Sequence, residues 1–158
     1  MGGPLKERGK IMSFNLTVGK KDIEIKFNYG LVFRLNKALE TEQGADNGAG
    51  IVFSRLKSGD DSALHDIIKV ISGKNTPDEA ILNAVGEQAE LLGEGDEGAG
   101  LDKLVNMMVE EIEKSGFFMR KLHIFKENVE KAKAQLKPAQ KDEQAGLQAI
   151  LDTLVNVH

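Results

Sequence analysis

The sequence predicts a mostly helical α+β protein in which an N-terminal β-hairpin packs on a bundle of about six helices. Two patterns support this prediction. Between residues 14 and 27, apolar and polar residues alternate in two runs, as they do on a strand with one buried face. From residue 28 onward, apolar residues recur at spacings of three and four, as they do along one side of a helix.

The hairpin is predicted from these two alternating runs. Gly19–Asp22 lies between them and supplies the turn. An isolated hairpin is marginally stable in water, so its apolar face is expected to pack on the helices. The apolar positions of the two runs are Phe14, Leu16, Val18, Ile23, Ile25 and Phe27.

The helical part is divided by glycine, proline and capping residues. Thr76 is expected to cap one helix, with Pro77 at its first position and Glu79 completing a capping box. Residues 93–100 are predicted to form a glycine-rich acidic loop. The predicted helices cover about 28–42, 50–57, 62–72, 76–92, 101–114 and 117–136, followed by a last helix through 147–155.

The chain of 158 residues is expected to hold one core domain with a short segment on either side. Residues 1–12 are rich in glycine and charge without periodicity, which predicts a flexible tail or an added leader. Residues 13–137 form the predicted core domain. Pro138 ends the long helical pattern before it, so residues 138–158 are predicted to be a helical extension.

Composition excludes several classes of partner and site. The chain has no cysteine, so it can form neither a disulfide nor a thiolate zinc site. Its net charge of -4 argues against nucleic acid as the main partner, because phosphate binding needs a basic surplus. No apolar run is long enough to span a bilayer, so no membrane partner is expected.

Charge is divided unevenly along the chain. Residues 78–97 hold seven acidic side chains and no basic one, whereas residues 117–137 hold six basic and two acidic side chains. Solvated helix faces of opposite sign would explain this division. Steering toward a charged partner is the alternative explanation.

The sequence predicts no catalytic residue, no metal ligand and no cofactor. The string Gly93–Gly98 matches G-x-G-x-x-G, but a helix precedes it and its three acidic residues would repel phosphate. The three histidines lack metal-ligand spacing, and His65 is expected to be exposed. A small-ligand- or cation-binding regulator that uses the acidic loop stays open as an alternative function, because weak cation binding needs only oxygen ligands.

Two apolar stripes near the C-terminus are the candidate protein-interaction surface. They could pack on each other as a helical hairpin, or they could cover a helix of a partner. The spacing along 118–136 is that of a helix packed lengthwise on another helix. The candidate residues are Phe118, Leu122, Phe125, Val129, Leu147, Ile150, Leu151 and Leu154.

The series of elements resembles the tail assembly chaperones of long-tailed phages and prophages of Gram-positive bacteria. The hairpin FNLTVGKKDIEIKFNYG is followed directly by the helix LVFRLNKALE. GAGIVFSRLKSGD, DSALHDIIKVISG and the helix start TPDEAI come next, and LVNMMVEEIEKSGFFMRKLHIFKENVEK closes the series. Their order and spacing match over roughly residues 13–131.

The resemblance implies a non-enzymatic chaperone that binds and solubilises the phage tape measure protein and recruits tail tube subunits. It implies a location in the host bacterial cytoplasm and absence from the mature virion. A structural tail subunit is the remaining alternative. A homo-oligomer is compatible with pairing through the apolar stripe along 118–136 and with pairing through the edge of the hairpin. The sequence does not distinguish these two modes of pairing.

Overall fold

The computed structural model describes residues 13–39 and 47–158. The predicted tail, residues 1–12, lies outside the described residues. So does the end of the first predicted helix, residues 40–42.

The chain opens with the predicted antiparallel hairpin. Strand β1 covers Ser13–Val18 and strand β2 covers Lys21–Lys26, with Ser13 opposite Lys26 and Val18 opposite Lys21. The turn is shorter than predicted, because only Gly19 and Lys20 lie between the strands. Gly19 has φ +63, a conformation that glycine adopts without steric cost and that two-residue turns favour.

Seven helices follow in the described residues, and they confirm the mostly helical α+β fold. They are α1 (Tyr29–Ala38), α2 (Gly48–Lys57), α3 (Ser62–Ser72), α4 (Asp78–Leu92), α5 (Glu97–Lys114), α6 (Gly116–Ala134) and α7 (Lys141–Thr153).

One apolar core joins the hairpin to the helices. The alternating side chains of both strands are buried, and α4 packs on β1 while α3 packs on β2. Among the side chains with no exposed surface are Ile25 of β2, Leu31 of α1 and Phe118 of α6. The helices therefore cover the apolar face of the hairpin, as predicted. An isolated hairpin would leave this face exposed to water and would be only marginally stable.

The start of α4 differs from the predicted capping box. The helix begins at Asp78 after Pro77, and no side chain caps it. The hydroxyl of Thr76 donates a hydrogen bond to the carbonyl oxygen of Ser72 instead, at 3.2 Å. The prediction was wrong because Pro77 lies at the N-cap position, one residue after Thr76, and the Thr76 side chain bonds back to the preceding helix.

The glycine-rich loop is also shorter than predicted. Helix α5 starts at Glu97, and Asp96 caps it by accepting from the Ala99 amide at 3.1 Å. A Cβ atom added at Gly100 would lie 1.6 Å from the carbonyl oxygen of Ala89. The glycine is therefore needed inside the helix, because α4 and α5 cross too closely there for any side chain.

We expect opposite effects from alanine at two helical glycines. Gly100→Ala forces a methyl group into the Ala89 backbone, and we expect it to lower the free energy of unfolding by on the order of 3 kcal/mol. Gly86→Ala in α4 is the matched control, because a Cβ there meets nothing within 4 Å. It should raise the free energy of unfolding by about 1 kcal/mol, since alanine favours the helix. Urea unfolding of both variants measures the difference, and equal effects would contradict the close crossing.

Candidate protein-interaction surfaces

The structure brings the eight predicted residues together inside the fold, because α6 and α7 pack on each other. Five of them are buried: Phe118, Leu122, Phe125, Val129 and Leu154. The other three are partly exposed and pack against the core: Leu147, Ile150 and Leu151. Val155, which lies within the last predicted helix, is 62% exposed because α7 ends at Thr153 and the chain turns there. A role for these residues in binding a partner stays a prediction.

Helix α7 lies over a surface formed by α2 and α6. The hydroxyl groups of Thr153 and Ser54, the latter on α2, lie 3.0 Å apart. Lys126 of α6 donates to the carbonyl oxygen of Val157 at 2.8 Å, and Lys133 of α6 hydrogen-bonds to Gln148 of α7. We call this surface the α7 groove and define it by Ser54, Lys126 and Lys133.

The two helices that form the α7 groove pack closely on each other. A Cβ atom added at Gly50 of α2 would lie 2.2 Å from the Phe125 ring of α6. Glycine at this position lets the two helices approach closely enough for the ring to fill the space between them.

Beside the groove, a cleft of about 490 Å³ opens between α6 and α7, lined in part by Glu130 and Leu151.

A second surface consists of exposed aromatic side chains, which sequence reasoning missed. Tyr29 and Phe33 on α1 are 61% and 57% exposed, and Phe117 on α6 is 55% exposed. The rings of Tyr29 and Phe117 meet edge-to-face with centroids 5.6 Å apart, and Phe33 lies one helical turn beyond Tyr29. We call these three residues the aromatic patch. Exposed aromatic rings in adjacent positions are typical of surfaces that bind proteins.

A buried joint holds the aromatic patch together. Phe27, two residues before Tyr29, packs edge-to-face on Phe118 with ring centroids 4.9 Å apart. The Ser115 hydroxyl donates to the carbonyl oxygen of Phe27 at 2.7 Å and accepts from the amide of Phe118 at 3.2 Å. The same side chain therefore caps α6 and ties it to the end of the hairpin.

Removing the Ser115 hydroxyl should destabilise the protein. We expect Ser115→Ala to lower the free energy of unfolding by on the order of 2 kcal/mol, because it removes a helix cap and leaves the Phe27 carbonyl unpaired. Ser58→Ala is the control, since that hydroxyl is exposed and bonds only within its own helix turn. Denaturant unfolding of both variants measures the effect. A loss for Ser115→Ala no larger than that of the control would contradict the role of this joint.

The structure places His65 between two helices and His123 on an exposed helix face. His65 is half-buried, contrary to expectation, because its ring Nε2 lies 3.0 Å from Asp78 Oδ1 across the joint of α3 and α4. This hydrogen bond and that of Lys69 hold the pKa of Asp78 below its usual value. His123 is exposed and lies 3.5 Å from Glu127, one turn along α6.

The acidic loop, which the alternative cation-binding function would use, contributes to helix geometry. Asp96 caps α5, and Glu94 adopts φ +52 in the turn between α4 and α5. Within residues 13–39 and 47–158, no group of three or more histidine and acidic side chains is placed to hold a metal ion. A cleft of about 550 Å³ at the hairpin tip is instead lined by Lys20, Lys21 and Lys74.

Glu111 is a buried carboxylate on α5. Only 8% of the residue is exposed, and its Oε1 atom has no hydrogen-bond partner. Burial raises the pKa of the Glu111 carboxyl above its ordinary value; Lys114 opposes the change and Glu110 adds to it. The folded protein consequently binds this proton more tightly than the unfolded chain does.

The raised pKa of Glu111 makes the free energy of unfolding depend on pH in a predictable direction. Between the unfolded and folded pKa values of Glu111 the native state holds more protons, so its contribution to the free energy of unfolding falls as the pH rises. We expect Glu111→Gln to be more stable than wild type at neutral pH. The difference should shrink as the pH falls below the ordinary pKa of a glutamate. Thermal unfolding between pH 4 and 8 tests this, with Glu113→Gln at an exposed position of the same helix as control; a pH-independent difference would contradict it.

None of the helices in the described part of the chain is both long and apolar enough to cross a bilayer. No curated protein and no solved structure gives a significant match to the sequence. One family model matches residues 15–127, and its description is "Phage tail assembly chaperone protein, TAC". The match covers most of the hairpin and ends within α6, so α7 lies outside it.

Proposed function

Because the chain belongs to the phage tail assembly chaperone family, we propose that it binds and solubilises the tape measure protein and recruits tail tube subunits during tail assembly. It acts without catalysis, in the cytoplasm of the host bacterium, and leaves before the virion is complete. A chaperone of this kind covers apolar helical surface on its partner and releases it later, so binding must be specific and reversible.

The aromatic patch is the observation that carries this proposal. More than half of the surface of each of Tyr29, Phe33 and Phe117 is exposed, so three aromatic rings stand in water on adjacent parts of α1 and α6. Aromatic side chains supply large contact areas with little loss of side-chain entropy, and they dominate the energetics of many interfaces. The buried joint beneath the patch holds α1 and α6 in place before a partner arrives, which lowers the entropic cost of binding.

Charge around the aromatic patch favours an acidic partner surface. Arg34 follows Phe33 on α1 and is exposed, and Arg120 lies one turn after Phe117 on α6 and is exposed too. Arginine is enriched at protein interfaces, where it pairs with carboxylates and stacks on rings. A partner segment with apolar and acidic residues therefore complements this surface better than a basic one does.

Co-expression with the tape measure protein encoded by the same phage or prophage tests the proposal. We expect wild type to keep that protein soluble and to co-purify with it. The double variant Phe33→Ser with Phe117→Ser should reduce the co-purified amount by about tenfold or more, because each lost aromatic anchor costs on the order of 1–2 kcal/mol. Leu82→Ser with Leu91→Ser is the matched control, since these two α4 residues are 60% and 74% exposed and lie outside the patch.

Three outcomes would count against the proposal. A tape measure protein that stays insoluble and unbound beside the folded wild-type chain contradicts the chaperone role. Equal losses for the patch variant and the α4 control contradict the patch as the binding surface. Finding the chain in purified virions favours a structural tail subunit over an assembly factor.

A further inference from the structure

We propose that the α7 groove accepts an amphipathic helix of a partner in exchange for α7. In this view α7 is an internal occupant of a helix-binding site and gives way when a helix of similar chemistry competes for it. The proposal rests on the proposed function only in taking the competing helix to come from the tape measure protein.

Helix α7 is held lightly compared with the other helices of the described chain. None of its residues from Lys141 to Thr153 is buried, whereas each of α1 to α6 buries at least three. The firm apolar anchors come after the helix, where Leu154 and Val157 are 0% and 1% exposed. Segments that bury little apolar surface open at low free-energy cost, so α7 is the helix most easily displaced.

The polar contacts across the α7 groove are also easily exchanged. The Lys133–Gln148 pair is exposed to solvent, and the Lys126 ammonium group bonds to a main-chain carbonyl near the end of the chain. Each such contact contributes little net free energy, because water replaces it when it breaks. A partner helix that offers a carboxylate to either lysine would form a stronger, charge-assisted bond.

The present occupant defines the chemistry of the helix that fits. The apolar residues of the α7 segment stand at 147, 150, 151 and 154, which is the i, i+3, i+4, i+7 spacing of a helix seated in a groove. Helix α6 carries five basic and two acidic residues, whereas α7 carries three acidic and one basic. The competing helix should therefore combine this apolar spacing with an acidic polar face.

Covalent attachment makes the exchange reversible. Six residues, 135–140, join α6 to α7, so α7 competes for the groove at the high effective concentration of a tethered segment. A free helix binds only those molecules in which α7 is displaced. Its apparent affinity is therefore the intrinsic affinity multiplied by the fraction of such molecules. Release of the partner then restores the closed form without any energy source.

A disulfide that locks α7 in place provides the test. The hydroxyls of Ser54 and Thr153 lie 3.0 Å apart, so cysteines at these positions bring two sulfur atoms near bonding distance. The chain has no other cysteine that could compete. The control is Thr17→Cys with Asp22→Cys, a directly opposed and exposed pair across the hairpin. Free-thiol assays establish that each pair is oxidised, and circular dichroism establishes that each variant is folded.

A fluorescent peptide of residues 141–158 serves as the probe, because it has the chemistry of the present occupant. The opening variant Leu147→Asp with Leu151→Asp weakens α7 and leaves α2 and α6 unchanged. We expect it to bind the peptide about tenfold or more tightly than wild type does, since it removes the internal competitor. The oxidised Ser54→Cys/Thr153→Cys chain should bind no peptide, and reduction should restore wild-type binding. The oxidised hairpin control should bind like wild type.

Two kinds of result would overturn this proposal. Peptide binding to the locked chain, or no gain for the opening variant, overturns the groove as an exchange site. A wild-type chain that dimerises in light scattering, and becomes monomeric when locked, assigns the groove to a second copy and overturns the partner-helix assignment.

The tape measure protein separates this proposal from the proposed function. If the oxidised, locked chain no longer binds the tape measure protein, both the exchange and the chaperone role are supported. Equal binding to the locked and reduced chains overturns the exchange as its route of binding and leaves the chaperone role intact. No binding to any form, with peptide exchange intact, contradicts the chaperone role and the source of the helix, while the exchange itself stands.

Discussion

The packing of Phe27 on Phe118, sealed by the Ser115 hydroxyl, fixes the hairpin on the helical bundle. This joint brings the start of α1 beside the start of α6. The same placement brings Tyr29 and Phe117, each within two residues of the joint, into contact on the surface. The exposed patch is thus a consequence of the buried joint, which holds side by side the two helix starts that carry Tyr29 and Phe117.

Close helix crossings extend this rigidity through most of the molecule. Gly100 lets α5 lie against α4, and Gly50 lets α2 lie against the Phe125 ring of α6. Interiors packed this closely do not deform gradually, so motion is confined to elements that bury little. Helix α7 is such an element, and it lies beyond the end of the family match at residue 127. The rigid part and the exchangeable part of the molecule are therefore separate along the chain, although α7 packs on α2 and α6.

Much of the fold could be predicted because its signals are local. The strand alternation and the helical stripes reflect only which side of each element is buried, and both were confirmed in the architecture. The cap at Thr76 was mispredicted because its side chain bonds back to the Ser72 carbonyl, and α5 starts earlier than predicted because Asp96 caps it. The aromatic patch was missed because Tyr29 and Phe117 are far apart in sequence, and only the tertiary joint makes them neighbours. The family resemblance supplied the chaperone role, which no local pattern of residues contains.

The bond between Ser115 and Phe27 spans 88 residues of sequence. During synthesis the hairpin emerges long before the helix that will cover its end, so Phe27 stays without its partners Ser115 and Phe118 until α6 has left the ribosome. Completion of the joint consequently coincides with completion of the binding surface. A nascent fragment that lacks α6 presents no organised pair of rings, so the proposed binding surface forms only after α6 has been made.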